Sequence, residues 1–220
     1  MTKYPDPLTA ALLCETAGAA QITVHLREDR RHIQESDVRL MRKTLQTELN
    51  LEMAATDEMM KLARDIKPNT VTLVPERRQE LTTEGGLDVI KGRKKIAKVV
   101  SALTEAGLRV SLFIDPAEAQ IDAALLLGVK AVELHTGRYS DAKDAAGKGM
   151  ELATLKRTAG YGQARGLTIV AGHGLNYDNI KPVVSISEIV EFNIGHSIIA
   201  RALTVGIEKA VAEMVRLVTT

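Results

Sequence analysis

The chain has 220 residues, enough for one good-sized core, with 45% hydrophobic and 26% charged residues. A net charge of +1 leaves no electrostatic footprint for nucleic acid or an anionic membrane, and 3% aromatics argues against a base-stacking surface. No run approaches the ~20 apolar residues of a membrane span, MTKYPDPLTA has no signal-peptide pattern, and the lone Cys14 forbids an internal disulfide, so a cytoplasmic setting is expected.

The first apolar segment, DPLTAALLCETAGA, reads as a helix with Cys14 on its buried stripe, and no strand precedes it. Seven short runs then read as strands: QITVHL (21–26), LNLEMA (49–54), TVTLVPE (70–76), RVSLFID (109–115), AVELHT (131–136), LTIVAGHG (167–174) and IVEFNIGH (189–196). Helix-period segments lie between most of them. Several end in a glycine just before the next strand, as in EAGLRV, LLGVKAV and ARGLTI, which is the helix C-cap signal. Alternating helices and strands imply a parallel sheet with helical crossovers, and the absence of a linker implies one domain over 1–220.

Parity within the strands separates two faces. Val24, Leu26, Leu51, Met53, Val71, Leu73, Leu112, Ile114, Val132, Leu134, Phe192 and Ile194 form an apolar set suited to packing against helices. Thr23, His25, Asn50, Glu52, Thr72, Glu76, Ser111, Asp115, Glu133, His135, Glu191 and Asn193 form a polar set. A doubly wound sheet, covered on both faces, would be apolar throughout. A parallel α/β barrel of the TIM type, with a polar lumen at its mouth, accounts for the alternation; a solvated sheet face is the plainer alternative. A (β/α)₈ barrel needs eight strands, so a barrel open at one seam, with two free strand edges, is expected.

All five histidines, His25, His32, His135, His173 and His196, fall at or after strand ends and none is expected inside a helix. In barrels those ends build the active site. Glu52, Glu133 and Asp115 share the neighbourhood, a mixture suited to several proton transfers. The start of IGHSIIARA offers helix N–H groups and an open Gly195 to a phosphate, or is only a tight turn. LTTEGGLDV (81–89) is a second phosphate candidate, and the preceding PERRQE can act as a lid. Arg27, Arg30 and Arg31 follow the first strand, as a solvated charge run or as at least one anion contact. His173 shares the parity of Ile169 and Ala171, away from the lumen, so Gly172 and Gly174 are expected to supply the bulge or turn that returns it. A metal-dependent barrel enzyme is a rival reading, because His25, Glu52, Glu133, His135 and His173 can all ligate Zn²⁺ or Mn²⁺. Against it, no H-x-H or H-E-x-x-H motif occurs. An inactive phosphosugar-binding protein is a further alternative.

Taken together, YPDP, ITVHLREDRRHI, NLEMA, LVPERRQELTTEGGLDV, VSLFID, ELHTGRY, AGHGLNY and EFNIGH resemble the pyridoxine 5′-phosphate synthase family, from Tyr4 to the last helix. The resemblance implies a (β/α)₈ barrel, usually an octamer, that needs no metal or organic cofactor. It implies condensation of 1-deoxy-D-xylulose 5-phosphate with 3-amino-2-oxopropyl phosphate, releasing phosphate and water. Carried over by position, His25 and Glu52 match the proton acceptors, His173 the proton donor, and Glu133 an acid that stabilises the transition state. Arg27, His32 and Thr82 match contacts to the deoxyxylulose phosphate; Gly174, Gly195 and His196 match contacts to the aminoketone-derived part and the product phosphate. The family opens with a strand carrying Asn-x-Asp-His, and this sequence starts after it. Weak or absent turnover is therefore expected of the chain as written.

Overall fold

The computed structural model describes residues 4–76 and 85–219. Helix α1 (Pro7–Thr16) begins where the Asp6 carboxylate accepts the Thr9 N–H and Pro7 takes a position that needs no N–H donor. Cys14 packs half-buried against the core. Seven strands follow: β1 (Gln21–His25), β2 (Glu48–Met53), β3 (Thr70–Leu73), β4 (Arg109–Ile114), β5 (Ala131–His135), β6 (Thr168–Gly172) and β7 (Ile189–Asn193). Between and after them lie α2 (Glu35–Thr44), α3 (Asp57–Ile66), α4 (Val89–Glu105), α5 (Glu118–Leu126), α6 (Gly137–Asp141), α7 (Ala145–Gln163), α8 (Ile180–Val184), α9 (His196–Val205) and α10 (Ile207–Thr219). Gly107, Gly128 and Gly166 all adopt positive φ, the left-handed turn that ends a helix and releases the next strand.

The sheet runs β1 to β7 in chain order, every neighbouring pair parallel. Leu51, Met53, Val71, Leu73, Leu112, Ile114, Val132 and Leu134 are fully buried under the helices, as their parity requires. Facing the other way, Asn50, Thr72, Ser111, Glu133 and His135 are each at most 4% exposed. That burial decides against a solvated face: these polar groups line an enclosed lumen.

Buried polar groups need partners, and these form a chain. Thr72 Oγ1 donates to Asn50 Oδ1 (3.0 Å) and Asn50 Nδ2 to Thr23 Oγ1 (3.4 Å). Thr23 Oγ1 donates to Asn193 Oδ1 (3.0 Å) and Asn193 Nδ2 to Glu133 Oε2 (2.8 Å). The third link joins β1 to β7, the two ends of the sheet order, so the sheet curls until its edges face one another. The expected open barrel of the TIM type, with seven strands among the described residues, is the observed fold.

One detail of register was not expected. Ile169 pairs with Ile189, yet Val170 pairs with Glu191. Val190 is the extra residue of a bulge, and it is 66% exposed. A one-residue slip exchanges the faces of a strand. The bulge therefore keeps Glu191 and Asn193 in phase with the lumen-facing Val170 and Gly172.

Candidate active site

His25 ends β1 beside Glu52 of β2, its partner in the parallel register. His25 Nδ1 lies 4.0 Å from Glu52 Oε2, and His25 Nε2 lies 2.7 Å from Glu76 Oε1. Glu76 comes from the segment after β3, and its other oxygen accepts the Glu28 N–H at 2.9 Å. Burial lowers the His25 pKa below its ordinary value, while the bond to Glu76 works against that.

Glu133 sits mid-lumen on β5. Removal from water, with Glu52 as a nearby like charge, pushes its carboxyl up to about 8; the bond from Asn193 works the other way. Burial likewise pushes Glu52 up to about 7. The two acids titrate as a pair, and at neutral pH at least one proton stays with them. Space for Glu133 comes from β6: a Cβ on Gly172 would lie 2.1 Å from Glu133 Oε1.

His173 follows Gly172 directly. Its φ of +79° is left-handed, a conformation that costs a non-glycine residue roughly 1–3 kcal/mol. Thr136 holds the turn: its N–H donates to Gly172 O (2.9 Å), and its hydroxyl donates to Gly172 O and His173 O. Asn179 Nδ2 then donates to Gly174 O (3.1 Å), with Gly174 at φ +76°. The strand ends at Gly172, and the His173 ring lies 4.9 Å from the lumen-facing ring of His135 and 6.4 Å from Phe113. The expected turn is present, with one correction. Gly174 shares the left-handed turn with His173, whereas Gly172 is an ordinary strand residue whose missing side chain makes room for Glu133.

His135 is 4% exposed and donates its Nδ1–H to Asp115 Oδ1 at 3.1 Å. The same Asp115 oxygen accepts the Gly86 N–H at 2.9 Å, and these contacts hold the Asp115 pKa below its ordinary value, the His135 bond most of all. A Cβ on Gly86 would lie 2.1 Å from Asp115 N, and one on Gly137 would lie 2.5 Å from His135 Nε2. Both glycines permit close approach. Gly86 belongs to the candidate phosphate loop, but its N–H is committed to Asp115.

The remaining candidates ring this centre. Arg27, two residues beyond His25, has Nε 3.7 Å from Asp29. Arg30 donates to the carbonyls of Arg27 and Glu28 and to the carboxylates of Glu35 and Glu58, with its own backbone at positive φ. Arg31 pairs with Asp29. His32 is exposed, its Nδ1 accepting the Ile33 N–H. Gly195 is the N-cap of α9, with nothing within 4 Å of a Cβ placed on it and no side chain capping the helix N–H groups. His196 is the first residue of α9, so the expectation that no histidine is helical fails there; a chain that turns directly from strand into helix leaves it nowhere else. Thr82 and most of PERRQE lie outside the described residues. Among the described residues, no three His, Cys, Asp or Glu side chains group to hold a metal, and no helix is long and apolar enough to cross a membrane.

A curled parallel sheet with titratable side chains gathered at the C-terminal ends of its strands is the architecture of a barrel enzyme. Solved structures with this fold include a 4-hydroxy-2-oxoglutarate aldolase/2-deydro-3-deoxyphosphogluconate aldolase from TTHB1 (TM-score 0.68, 12% identity, 99% of this chain and 90% of that one). Another is phosphoribosyl anthranilate isomerase from Thermus thermophilus (TM-score 0.62, 15% identity, 96% and 94%). At such identities the likeness is one of fold alone. The family described as pyridoxal phosphate biosynthesis protein PdxJ matches residues 1–220. Pyridoxine 5′-phosphate synthase of Trichlorobacter lovleyi is 56% identical over 214 residues, 97% of this chain and 90% of that protein. The synthase of Blochmanniella pennsylvanica is 52% identical over 217 residues, 99% and 89%. The chain belongs to this family and is an enzyme of vitamin B6 biosynthesis.

Proposed function

We propose that the chain condenses 1-deoxy-D-xylulose 5-phosphate with 3-amino-2-oxopropyl phosphate to pyridoxine 5′-phosphate, releasing phosphate and water by acid–base catalysis at the lumen mouth. The observation that carries the chemistry is the meeting of His25, Glu52 and Glu133 in one lumen, with His173 turned onto the same rim. An imine forms between amine and ketone, and Glu52 and His25 then remove protons. A base works best with a pKa close to the working pH, which desolvation brings about for Glu52. Glu133 steadies developing positive charge as it ionises, and His173 protonates the departing phosphate. The N-terminus of α9, with Gly195 and His196, and the turn at Gly174 receive the aminoketone half. Arg27, His32 and Thr82 receive the deoxyxylulose phosphate. The working form on this reading is a cytoplasmic homo-octamer without metal or cofactor.

The test is to restore the family's Asn-x-Asp-His first strand ahead of the chain, incubate it with both substrates and follow pyridoxine 5′-phosphate and inorganic phosphate together. Equimolar appearance of the two is expected, unaffected by chelator. His173→Asn should slow it roughly 10²–10⁴-fold. Near-normal turnover by that variant overturns the donor role, and no product from the chain with the first strand restored overturns the reading.

A further inference from the structure

Two nitrogens of one imidazole face two different carboxylates across the lumen mouth. His25 Nε2 is 2.7 Å from Glu76 Oε1, while Nδ1 is 4.0 Å from Glu52 Oε2. The Glu76 side chain is 5% exposed, far less than the 22% of Glu52. Its second oxygen is fixed by the Glu28 N–H at 2.9 Å, so the carboxylate cannot rotate without losing a bond. A carboxylate only accepts, and a neutral imidazole carries one N–H. The short contact therefore places the hydrogen on Nε2 and leaves the Nδ1 lone pair facing Glu52 and the lumen.

We propose that Glu76 is a positioning residue: it fixes His25 in the Nε2–H tautomer, so that Nδ1 is the nitrogen that takes a proton from substrate. This rests on His25 acting as a base, as proposed above. When Nδ1 accepts that proton, the imidazolium keeps its Nε2–H on Glu76, whose negative charge stabilises it; no proton passes to Glu76. The charged and titratable groups facing His25 are Glu76 beyond β3, Glu52 on β2, and Arg27 and His32 on its own loop. Glu76 favours the protonated ring; Arg27, His32 and burial oppose it.

Glu76→Gln keeps the size, removes the charge and offers an NH₂ that can donate to Nε2 and reverse the tautomer. The expected result is a fall in kcat of roughly 10²-fold, with KM within about threefold. The acid limb of the kcat/KM profile moves to lower pH, because the group favouring protonated His25 is gone. Glu76→Asp restores the charge and should recover part of the rate and return the limb. Ring-¹⁵N spectra of the labelled chain read the tautomer without turnover: protonated Nε2 and bare Nδ1 in the unaltered chain, a mixture or reversal in Glu76→Gln. His25→Asn separates the two levels. If it is fully active, the base reading falls and the proposal with it. If it is inactive while Glu76→Gln keeps the rate, limb and tautomer, the proposal alone falls. A rate loss in Glu76→Gln with unmoved limb and tautomer also overturns it, because that is what a merely structural role would give.

Discussion

A methyl group at position 172 would meet the Glu133 carboxylate at 2.1 Å and the Asn193 carbonyl at 3.0 Å. Neither neighbour can give way easily: one is buried and hydrogen-bonded, the other is backbone. Gly172→Ala is therefore expected to displace Glu133 and lower kcat about 10²-fold, with the far-UV circular dichroism unchanged; wild-type kcat would refute the fit. Glu133 also carries a pH dependence of stability. Its pKa rises on folding from 4.5 to about 8, and that of Glu52 from 4.5 to about 7. The folded chain thus holds protons that the unfolded chain has released. The pair's contribution is fully present below about pH 4.5 and is lost as pH rises through about 7 and 8. Thermal denaturation should show the melting temperature falling from pH 5 to pH 8 by about 2–4 °C for each kcal/mol lost. Glu133→Gln should flatten that slope, melting above the unaltered chain at pH 8 and close to it at pH 5, while losing activity. An unchanged slope would mean that Glu133 is ionised in the folded chain.

At the scale of elements, strands were legible because parity and β-branched runs are local signals. All seven lie inside the segments read from sequence or within a residue of them. Three helix-end glycines, Gly107, Gly128 and Gly166, were legible for the same reason, since a left-handed helix end selects for glycine. His25, Glu52 and Glu133 follow from parity alone. What the sequence hid depends on neighbours distant along the chain. Glu76 stood among the lumen-facing residues, but its pairing with His25 spans 51 positions. The Val190 bulge, the space left by Gly172 and the commitment of Gly86 to Asp115 each need the partner strand to be seen. Asp115 shows how such contacts bear on the site. It joins the end of β4 to the segment entering α4 through Gly86, and to β5 through His135. Asp115→Ala removes both bonds and frees the His135 ring that packs on His173. A fall in kcat of about 10²-fold is expected. The melting temperature should move little, because the carboxylate is 49% exposed. A kcat within twofold would remove Asp115 and His135 from the account of the site.

Across the whole molecule, the lumen hydrogen bonds do a task that backbone pairing leaves undone. β1 and β7 are the ends of the sheet order and do not pair with each other among the described residues. Side chains bridge them instead: Thr23 to Asn193 at 3.0 Å and Gln21 Nε2 to Glu191 Oε1 at 2.8 Å. From Thr72 onward every donor points the same way, through Asn50, Thr23 and Asn193 to Glu133. The bridge that closes the sheet therefore ends on a proposed catalytic acid, which couples closure of the fold to the state of the site. A double-mutant cycle tests that coupling. Thr23→Val keeps the shape of the side chain and leaves Asn193 Oδ1 without its donor, destabilising by about 1–3 kcal/mol. Asn193→Ala removes the same link and also the donor to Glu133, so it should destabilise more. Once Asn193 is gone, removing the Thr23 hydroxyl orphans nothing further across the seam. The double variant should fall short of the sum of the singles by about 0.5–3 kcal/mol in urea denaturation. Strict additivity would mean that the edges stand independently and that the bridge holds nothing together.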